Sequence, residues 1–198
     1  MSQKNSIAFW DFDDTLTKGD SLWYFLAYTQ PWSRLFFAAA RFSPILLGMK
    51  LGWISNLEAK IRVFRYFFDG WESKKFLAFC EGFAQEKIPG MLNPIAMKKF
   101  EWHKSEGHKV VLVSASLRHY LEPWCQKMGI DCLATELKIV NERVFGEYAQ
   151  PNCHGPEKAR RINEAYDLAQ YDKIYAYGNS SGDKEMLKLA HEAFYQTF

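Results

Sequence analysis

The sequence has little net charge, few cysteines and no uninterrupted apolar run long enough to cross a membrane. Its 25 Lys and Arg residues nearly balance 23 Asp and Glu residues, which leaves a formal net charge of +2. That excess is too small to indicate a nucleic-acid-binding protein. The four cysteines form neither a C-x-x-C pair nor a Cys/His cluster with zinc spacing. We therefore expect reduced, buried thiols rather than disulfides.

An apolar stretch, residues 35–54, is interrupted by Arg41, Pro44 and Lys50. A spanning helix needs about 20 nearly uncharged apolar residues, and cations near its centre are costly. This excludes a spanning helix but leaves contact with a membrane surface open. The first six residues lead into an apolar strand without the apolar region of a signal peptide. We expect a cytoplasmic protein, with a peripheral position at the inner face of the membrane as the alternative.

The order of apolar patterns predicts an α/β fold. Residues 7–10 form a short apolar run of the kind found in buried parallel strands. Residues 18–92 are helical in pattern, and Ser55 and Glu58 form a capping box. Apolar runs then alternate with amphipathic segments, which implies βαβ crossovers. The predicted strands are residues 110–113, 132–135, 174–177 and 193–197, with a hairpin over 137–148.

This pattern predicts a Rossmann-like parallel sheet sandwiched by helices. We expect a catalytic core formed by residues 1–17 and 93–198, with an all-helical domain inserted at residues 18–92. In such sheets the ligand crevice lies at the carboxyl ends of the strands. Asp11, Asp13, Ser114 and Asn179 each follow a predicted strand, so we expect them to converge.

These residue types suit phosphoryl chemistry with a divalent metal ion. Two close carboxylates, Asp11 and Asp13, repel each other unless a cation lies between them, and Mg²⁺ prefers oxygen ligands. The Ser114 hydroxyl and the Lys158 charge suit an anionic phosphoryl group. Further oxygen ligands would come from Asn179 and Asp183.

Each of these residues also has a simpler interpretation when it is taken alone. The acidic cluster resembles a solvated turn, and Ser114 resembles a helix N-cap. Lys158 resembles a surface residue, although a cation in the first turn of a helix opposes the helix dipole. The order of the residues after successive strands favours a shared site.

At these residues the chain resembles the haloacid dehalogenase-like superfamily, in particular its phosphoserine-phosphatase-like subfamily IB. The resemblance covers nearly the whole chain and rests on four motifs: Asp11-Phe12-Asp13-Asp14-Thr15, Val111-Leu112-Val113-Ser114, Lys158, and Gly178-Asn179-Ser180-Ser181-Gly182-Asp183. It implies that the helical insert is a cap domain. It also implies that the protein is a Mg²⁺-dependent phosphomonoester hydrolase.

The resemblance implies that Asp11 attacks phosphorus to form an aspartyl-phosphate. Asp13 would protonate the leaving alcohol and then activate water. The Asp11 carboxylate, the Asp13 carbonyl and Asn179 would hold Mg²⁺, while Ser114 and Lys158 would bind the phosphoryl oxygens. Two residues depart from the pattern: Asp14 stands where Gly is frequent, and Asn179 stands where Asp is usual. Because Asn179 contributes one less negative charge, Asp183 would compensate, directly or through water.

The cap is expected to choose the substrate. Asp20 lies where phosphoserine phosphatases carry an acidic residue that contacts the substrate amine, but it also suits a helix N-cap. Arg118 could reach an anionic group, although a solvated helix start explains it equally well. The first-ranked substrate is a small phosphorylated metabolite, such as an amino-acid or amino-alcohol phosphate.

The cap has an unusual composition that leaves a second substrate class open. Residues 18–92 carry ten Lys or Arg and six Asp or Glu, hence +4. We expect most aromatic residues of its first part to pack inside the cap; they are Trp23, Phe25, Trp32, Phe36, Phe37, Phe42 and Trp53. The alternative is a membrane-contacting cap that serves a lipid phosphate such as phosphatidylglycerophosphate. A weakly catalytic phosphate-binding protein is a third interpretation, and the oligomeric state stays open.

Overall fold

The structure, a computed structural model, describes residues 5–50, 53 and 55–198. Two sequence predictions fall partly outside the described residues. One concerns the N-terminal residues 1–4, and the other concerns residues 51, 52 and 54 of the apolar stretch. The described strands are β1 Ser6–Trp10, β2 Lys109–Leu117, β3 Asp131–Thr135, β4 Leu137–Val140, β5 Arg143–Tyr148, β6 Lys173–Gly178 and β7 Glu192–Tyr195. The described helices are α1 Ser21–Thr29, α2 Trp32–Lys50, α3 Asn56–Phe68, α4 Ser73–Glu86, α5 Ile88–Met91, α6 Pro94–Ser105, α7 Arg118–Met128, α8 Pro156–Ala165 and α9 Lys184–Lys188.

Five strands form a parallel sheet in the order β3-β2-β1-β6-β7. The central strand β1 is buried along its whole length, as its apolar sequence predicts. Strands β4 and β5 form a separate antiparallel hairpin whose turn residues Asn141 and Glu142 have positive φ. The predicted parallel α/β fold and hairpin are therefore confirmed.

The helices α1 to α5 lie between β1 and β2 in sequence and pack on the rest of the chain through two main contacts. Helix α4 packs on α7, and α3 packs on β5. The second contact needs a glycine, because a Cβ atom at Gly146 would lie 2.2 Å from the backbone of Arg65. Inside the helical segment, Phe25 contacts the rings of Phe68, Phe83 and Tyr120. Aromatic packing thus joins this segment to α7.

Several predicted element boundaries change in the structure. The predicted capping box is half present: the Ser55 side chain accepts a hydrogen bond from the Glu58 amide at the start of α3. Helix α8 ends at Ala165, and a separate turn covers Leu168–Gln170. Strand β2 continues past Ser114 to Leu117 through a shift in its pairing with β3. That extension brings a second serine, Ser116, to the same edge of the sheet.

The four cysteines are buried and free, as predicted. None of the helices in the described residues is long and apolar enough to cross a membrane. The expectation that most of the aromatic residues named in the first part of the helical segment pack inside is wrong. Phe25 is buried, but five others are largely exposed to solvent: Trp23, Trp32, Phe36, Phe37 and Trp53. Helix α2 contacts α1 and α3 along one side and leaves its other side uncovered.

Candidate active site

The sheet brings the predicted residues together at the carboxyl ends of β1, β2 and β6. Strand β1 pairs with β2 on one side and with β6 on the other. The Asp11 amide extends the second pairing by donating a hydrogen bond of 2.9 Å to the Tyr177 carbonyl. Asp11 therefore lies beside Gly178, the residue that immediately precedes Asn179. This is the crevice position that the topology of an open α/β sheet predicts.

Lys158 bridges two carboxylates inside the protein. Its Nζ atom lies 2.6 Å from Asp11 Oδ1 and 2.6 Å from Asp183 Oδ1, and the residue is 1% exposed. The simpler interpretation of Lys158 as a surface residue is therefore wrong. Burial opposes its charge, but Asp11 and Asp183 outweigh that effect and raise the pKa of Lys158 above its usual range. An ammonium group has three N–H donors, so the two carboxylates leave one for a further acceptor.

Asp11 combines burial with incomplete hydrogen bonding. Burial raises the pKa of Asp11 to about 7, although Lys158 opposes the shift. Its Oδ2 atom has one long contact, 3.4 Å, from the Thr15 hydroxyl. A buried carboxylate oxygen is normally better satisfied. This oxygen can therefore accept a cation or act as a nucleophile.

Asp183 is fully engaged by protein donors. Its Oδ1 atom binds Lys158, while its Oδ2 atom accepts hydrogen bonds from the Asn179 amide and from the amide and hydroxyl of Ser180. Burial alone would raise the pKa of Asp183, but the Lys158 charge and the hydrogen bonds from Lys158 and Ser180 together outweigh burial and lower the pKa. A Cβ atom at Gly178 would lie 2.5 Å from the Asp183 Cβ, so this turn requires glycine. These contacts make Asp183 a support for Lys158, and its role at a metal ion, directly or through water, stays a prediction.

Asp13 is held by a different set of groups from those at Asp11. Its Oδ1 atom accepts a hydrogen bond of 2.7 Å from the Ser21 amide at the start of α1, and its Oδ2 atom accepts one from the Ser116 hydroxyl. The hydroxyl of Ser21 in turn contacts Ser116 and Tyr120. Burial, and then the negative charge of Asp20, raise the pKa of Asp13. A carboxyl group with a raised pKa is suited to proton transfer.

Sequence reasoning missed Ser116 and Tyr120. One signal could have found Ser116, because alternate residues of a strand face the same side and Ser114 is two residues earlier. No local pattern identifies Tyr120, which reaches Ser21 across the contact between α7 and α1.

Ser114 lies inside β2 and is fully buried, so its interpretation as a helix N-cap is wrong. Its Oγ atom accepts a hydrogen bond of 3.0 Å from the Ser116 amide. No acceptor for the Ser114 hydroxyl proton occurs among the described residues. That proton is available to an anion at the site.

Asp14 has the left-handed backbone that the resemblance assigns to a frequent glycine. Its φ is 54° and its ψ is 15°. Aspartate tolerates this region better than most residues because its short polar side chain can hydrogen-bond locally. The substitution is therefore compatible with the turn that carries Asp13.

The two predicted substrate residues have structural partners. Asp20 caps α1, because its side chain accepts a hydrogen bond of 2.8 Å from the Leu22 amide. Arg118 begins α7 and binds Glu122 and Glu136 at 2.6 and 2.9 Å. Both substrate roles stay predictions, and Arg118 would have to exchange these carboxylates for an anionic substrate.

The donor atoms at the site fit a hard divalent cation. No group of three or more His, Cys, Asp or Glu side chains with metal-binding geometry occurs within the described residues. However, Asp11 Oδ2 is nearly unengaged, and the Asn179 side-chain amide makes no hydrogen bond in the described part of the chain. These two oxygen donors follow adjacent strands. Together with a backbone carbonyl and water, they match the oxygen coordination that Mg²⁺ prefers.

A parallel sheet that gathers acidic side chains at its carboxyl edge is typical of α/β proteins whose ligand crevice lies at that edge. Within this class, the model of the haloacid dehalogenase-like hydrolase family matches residues 8–188. The chain belongs to this family, as its motifs predict.

The chain is also similar to a curated relative and shares its fold with solved structures. The chain is 30% identical over 200 residues to Protein CicA of Caulobacter vibrioides strain NA1000 / CB15N, covering 100% of this chain and 89% of CicA. A Bordetella pertussis Tohama I protein of unknown function has the same fold, with a TM-score of 0.82 and 22% identity, covering 96% of this chain and 89% of that one. A phospho-aspartyl intermediate analogue of phosphoserine phosphatase superposes with a TM-score of 0.65 and 14% identity, covering 96% and 85% of the two chains.

Proposed function

We propose that this protein is a Mg²⁺-dependent phosphomonoester hydrolase that works through an aspartyl-phosphate at Asp11. The observation that carries the proposal is the bridge from Lys158 to Asp11 and Asp183. A buried lysine that holds one oxygen of Asp11 and leaves the other nearly unengaged orients a nucleophile. Membership of a hydrolase family and the phosphatase-like fold support the same chemistry.

The reaction divides between the two aspartates. A carboxylate oxygen of Asp11 forms a bond to phosphorus as the bond from phosphorus to the ester oxygen breaks. Asp13 gives its proton to the departing oxygen, so that an alcohol leaves. Asp13 then takes a proton from water as the water oxygen attacks phosphorus, and the Asp11–phosphoryl bond breaks to release inorganic phosphate. The raised pKa of Asp13 fits the proton-donating step.

The remaining residues bind the phosphoryl group and hold the aspartates. The third N–H of Lys158 and the free hydroxyl proton of Ser114 would bind phosphoryl oxygens. Ser21 and Ser116 fix the Asp13 carboxylate. Asp183 positions Lys158.

Mg²⁺ would be held by the Asp11 carboxylate, the Asp13 carbonyl and the Asn179 side chain. When bound, the ion supplies positive charge that offsets the negative charge of the phosphoryl group and of the buried carboxylates. Asp183 would contribute through its ion pair with Lys158 rather than as a direct ligand.

We propose that residues 18–92 act as a cap over a core of residues 1–17 and 93–198. The amide of Ser21, at the start of the first cap helix, binds the Asp13 side chain directly. The cap therefore contributes to the site and can sense what the site holds. A cleft of about 830 Å³ lies between α3 and residues 147–157, but none of the candidate catalytic or phosphate-binding residues lines it. A small phosphorylated metabolite remains the first-ranked substrate class.

A second substrate class is a lipid phosphate, and the exposed aromatic residues of the cap favour it. One experiment separates the classes: a panel of soluble and lipid phosphate esters, assayed for phosphate release with Mg²⁺ and after exhaustive chelation. We expect release that chelation abolishes. Undiminished release after chelation would refute the metal assignment. No release from any ester would favour a phosphate-binding protein without turnover.

A further inference from the structure

Helices α1 and α2 and the segment that follows carry six exposed aromatic residues, of which Tyr24 is the least exposed, at 52%. We call the other five the aromatic face; Trp23, Trp32, Phe36, Phe37 and Trp53 are 62%, 80%, 73%, 65% and 80% exposed. Single exposed apolar residues are ordinary on protein surfaces, but a group of large aromatic residues is not. Phe36 and Phe37 pack on each other, so at least this part of the surface is contiguous.

The same region carries positive charge and no acidic residue. Between Asp20 and Glu58 the sequence has no Asp or Glu, but it has Arg34, Arg41 and Lys50. Arg34 binds the Gln30 side chain and the Tyr66 carbonyl, and neither contact neutralises its charge. Arg41 is exposed. The surface therefore combines aromatic side chains with cations.

A cleft opens beside the aromatic face. It has a volume of about 330 Å³ and is lined by apolar side chains of α1, α2 and α3. Trp23 and Trp32 belong both to the aromatic face and to the wall of this cleft. An apolar chain inserted there would meet hydrophobic side chains on several sides.

We propose that the aromatic face docks on an anionic lipid membrane, with α2 lying in the plane of the lipid headgroups. Tryptophan and phenylalanine beside arginine are the composition of helices that bind at such interfaces. Charge distinguishes this partner from a second copy of the chain. A symmetric dimer would bring the cations of one face against the same cations of the other, whereas anionic lipid neutralises them.

Docking would bring the candidate active site near the membrane, because Trp23 lies in the same helical turn as Ser21, whose amide binds Asp13. The substrates would then include phosphate monoesters of lipids, a conclusion that rests on the proposed function. The docking itself does not depend on catalysis.

The first test is co-sedimentation of the full chain with vesicles of phosphatidylcholine, with and without phosphatidylglycerol. We expect binding to the anionic vesicles. The double variant Trp32→Ser/Phe36→Ser should bind at least about tenfold more weakly, because it loses two side chains' worth of apolar burial. The matched control is Ile95→Ser. Ile95 is 66% exposed on α6, away from the aromatic face, so this variant should bind vesicles as the wild type does.

The second test concerns charge. Arg41→Gln should weaken binding to anionic vesicles by about fivefold, since each cation near such a surface contributes about 1 kcal/mol. Lys98→Gln, an exposed cation on α6, should not. Asp11→Asn should bind vesicles normally, so that a failure of docking can be told from a failure of catalysis. The proposal would be overturned if the double variant and Ile95→Ser bound vesicles equally well. It would also be overturned if the wild type bound no vesicles and instead formed a concentration-dependent dimer that the double variant abolishes.

Discussion

The carboxyl edge of the sheet and the aromatic face of the helical segment differ in which kind of side chain they bury. At the sheet edge, charged groups are buried: Lys158 and Asp183 are each 1% exposed, and Asp11 is 7% exposed. On the aromatic face, apolar side chains such as Trp32 are exposed. Both arrangements are unfavourable in water, because burying charged groups and exposing aromatic surface each cost free energy.

At both places the arrangement of side chains adds little to the free energy of unfolding, which points to a functional role. A buried ion pair is often no better for stability than a well-packed apolar pair, so its presence is weak evidence of a structural role. Exposed aromatic residues likewise add little to the stability of an isolated chain. The sheet edge offers chemistry, and the aromatic face offers a surface for a partner.

The largest effect is expected at Lys158. Lys158→Met leaves Asp11 and Asp183 buried without their cation, which should lower the free energy of unfolding by about 3–5 kcal/mol. It should also abolish detectable phosphate release. Urea denaturation and a phosphate-release assay measure the two effects. The control is Lys98→Met, an exposed lysine whose loss should change stability by less than about 0.5 kcal/mol. Equal free energies of unfolding for the two variants would show that the buried bridge contributes nothing to stability.

A smaller effect is expected at Ser116, which contacts Asp13 but not Asp11. Ser116→Ala removes a hydrogen bond to a charged group, typically worth about 1.5–3 kcal/mol, so turnover of alkyl phosphates should fall by about ten- to a hundredfold. Aryl phosphates with good leaving groups need less help from a proton donor and should be affected less. Ser33→Ala, at an exposed position of α2, is the control. An equal loss with both ester types would argue against a role through Asp13.

The smallest effect concerns a buried polar residue away from the site. His103 is fully buried and contacts the Tyr177 hydroxyl and His108. Burial lowers its pKa to about 3, against about 6.5 in an unfolded chain. As pH falls below about 6.5, His103 takes up a proton in the unfolded state but not in the folded state. The free energy of unfolding therefore falls, and the contribution of neutral His103 to stability is progressively lost.

The measurement is urea denaturation of wild type and His103→Gln from about pH 6 to about pH 4. The stability advantage of the wild type over the variant should shrink by about 1.4 kcal/mol per pH unit. A constant difference would mean that His103 is protonated in the folded state. Phosphate release at neutral pH should differ little, which would mark this residue as structural and set it apart from the sheet edge.

The periodic parts of the fold could be predicted from the sequence. Strand β1 and the hairpin turn at Asn141 and Glu142 are coded by local patterns of apolar and turn residues. The candidate site residues could be named because a parallel sheet gathers the carboxyl ends of its strands. The burial of Lys158 could not be read from its neighbours, because it depends on Asp11 and Asp183, which are distant in sequence.

Sequence reasoning failed where several elements meet. The contact of Tyr120 with Ser21 depends on how α7 packs against α1, and no local signal specifies it. The exposure of Trp32 and Phe36 was missed for a related reason. Aromatic composition alone favours burial, and only the position of α2 at the outside of the helical segment decides otherwise.

The most direct test of the central claim is acid-quenched trapping of a phosphoenzyme, with a phosphate ester labelled in its phosphoryl group and Mg²⁺ present. The account predicts label bound covalently to Asp11 in the wild-type protein and none in Asp11→Asn, with peptide mapping that places it between Ile7 and Lys18. Rapid phosphate release without any trapped label, or label retained in Asp11→Asn, would contradict it.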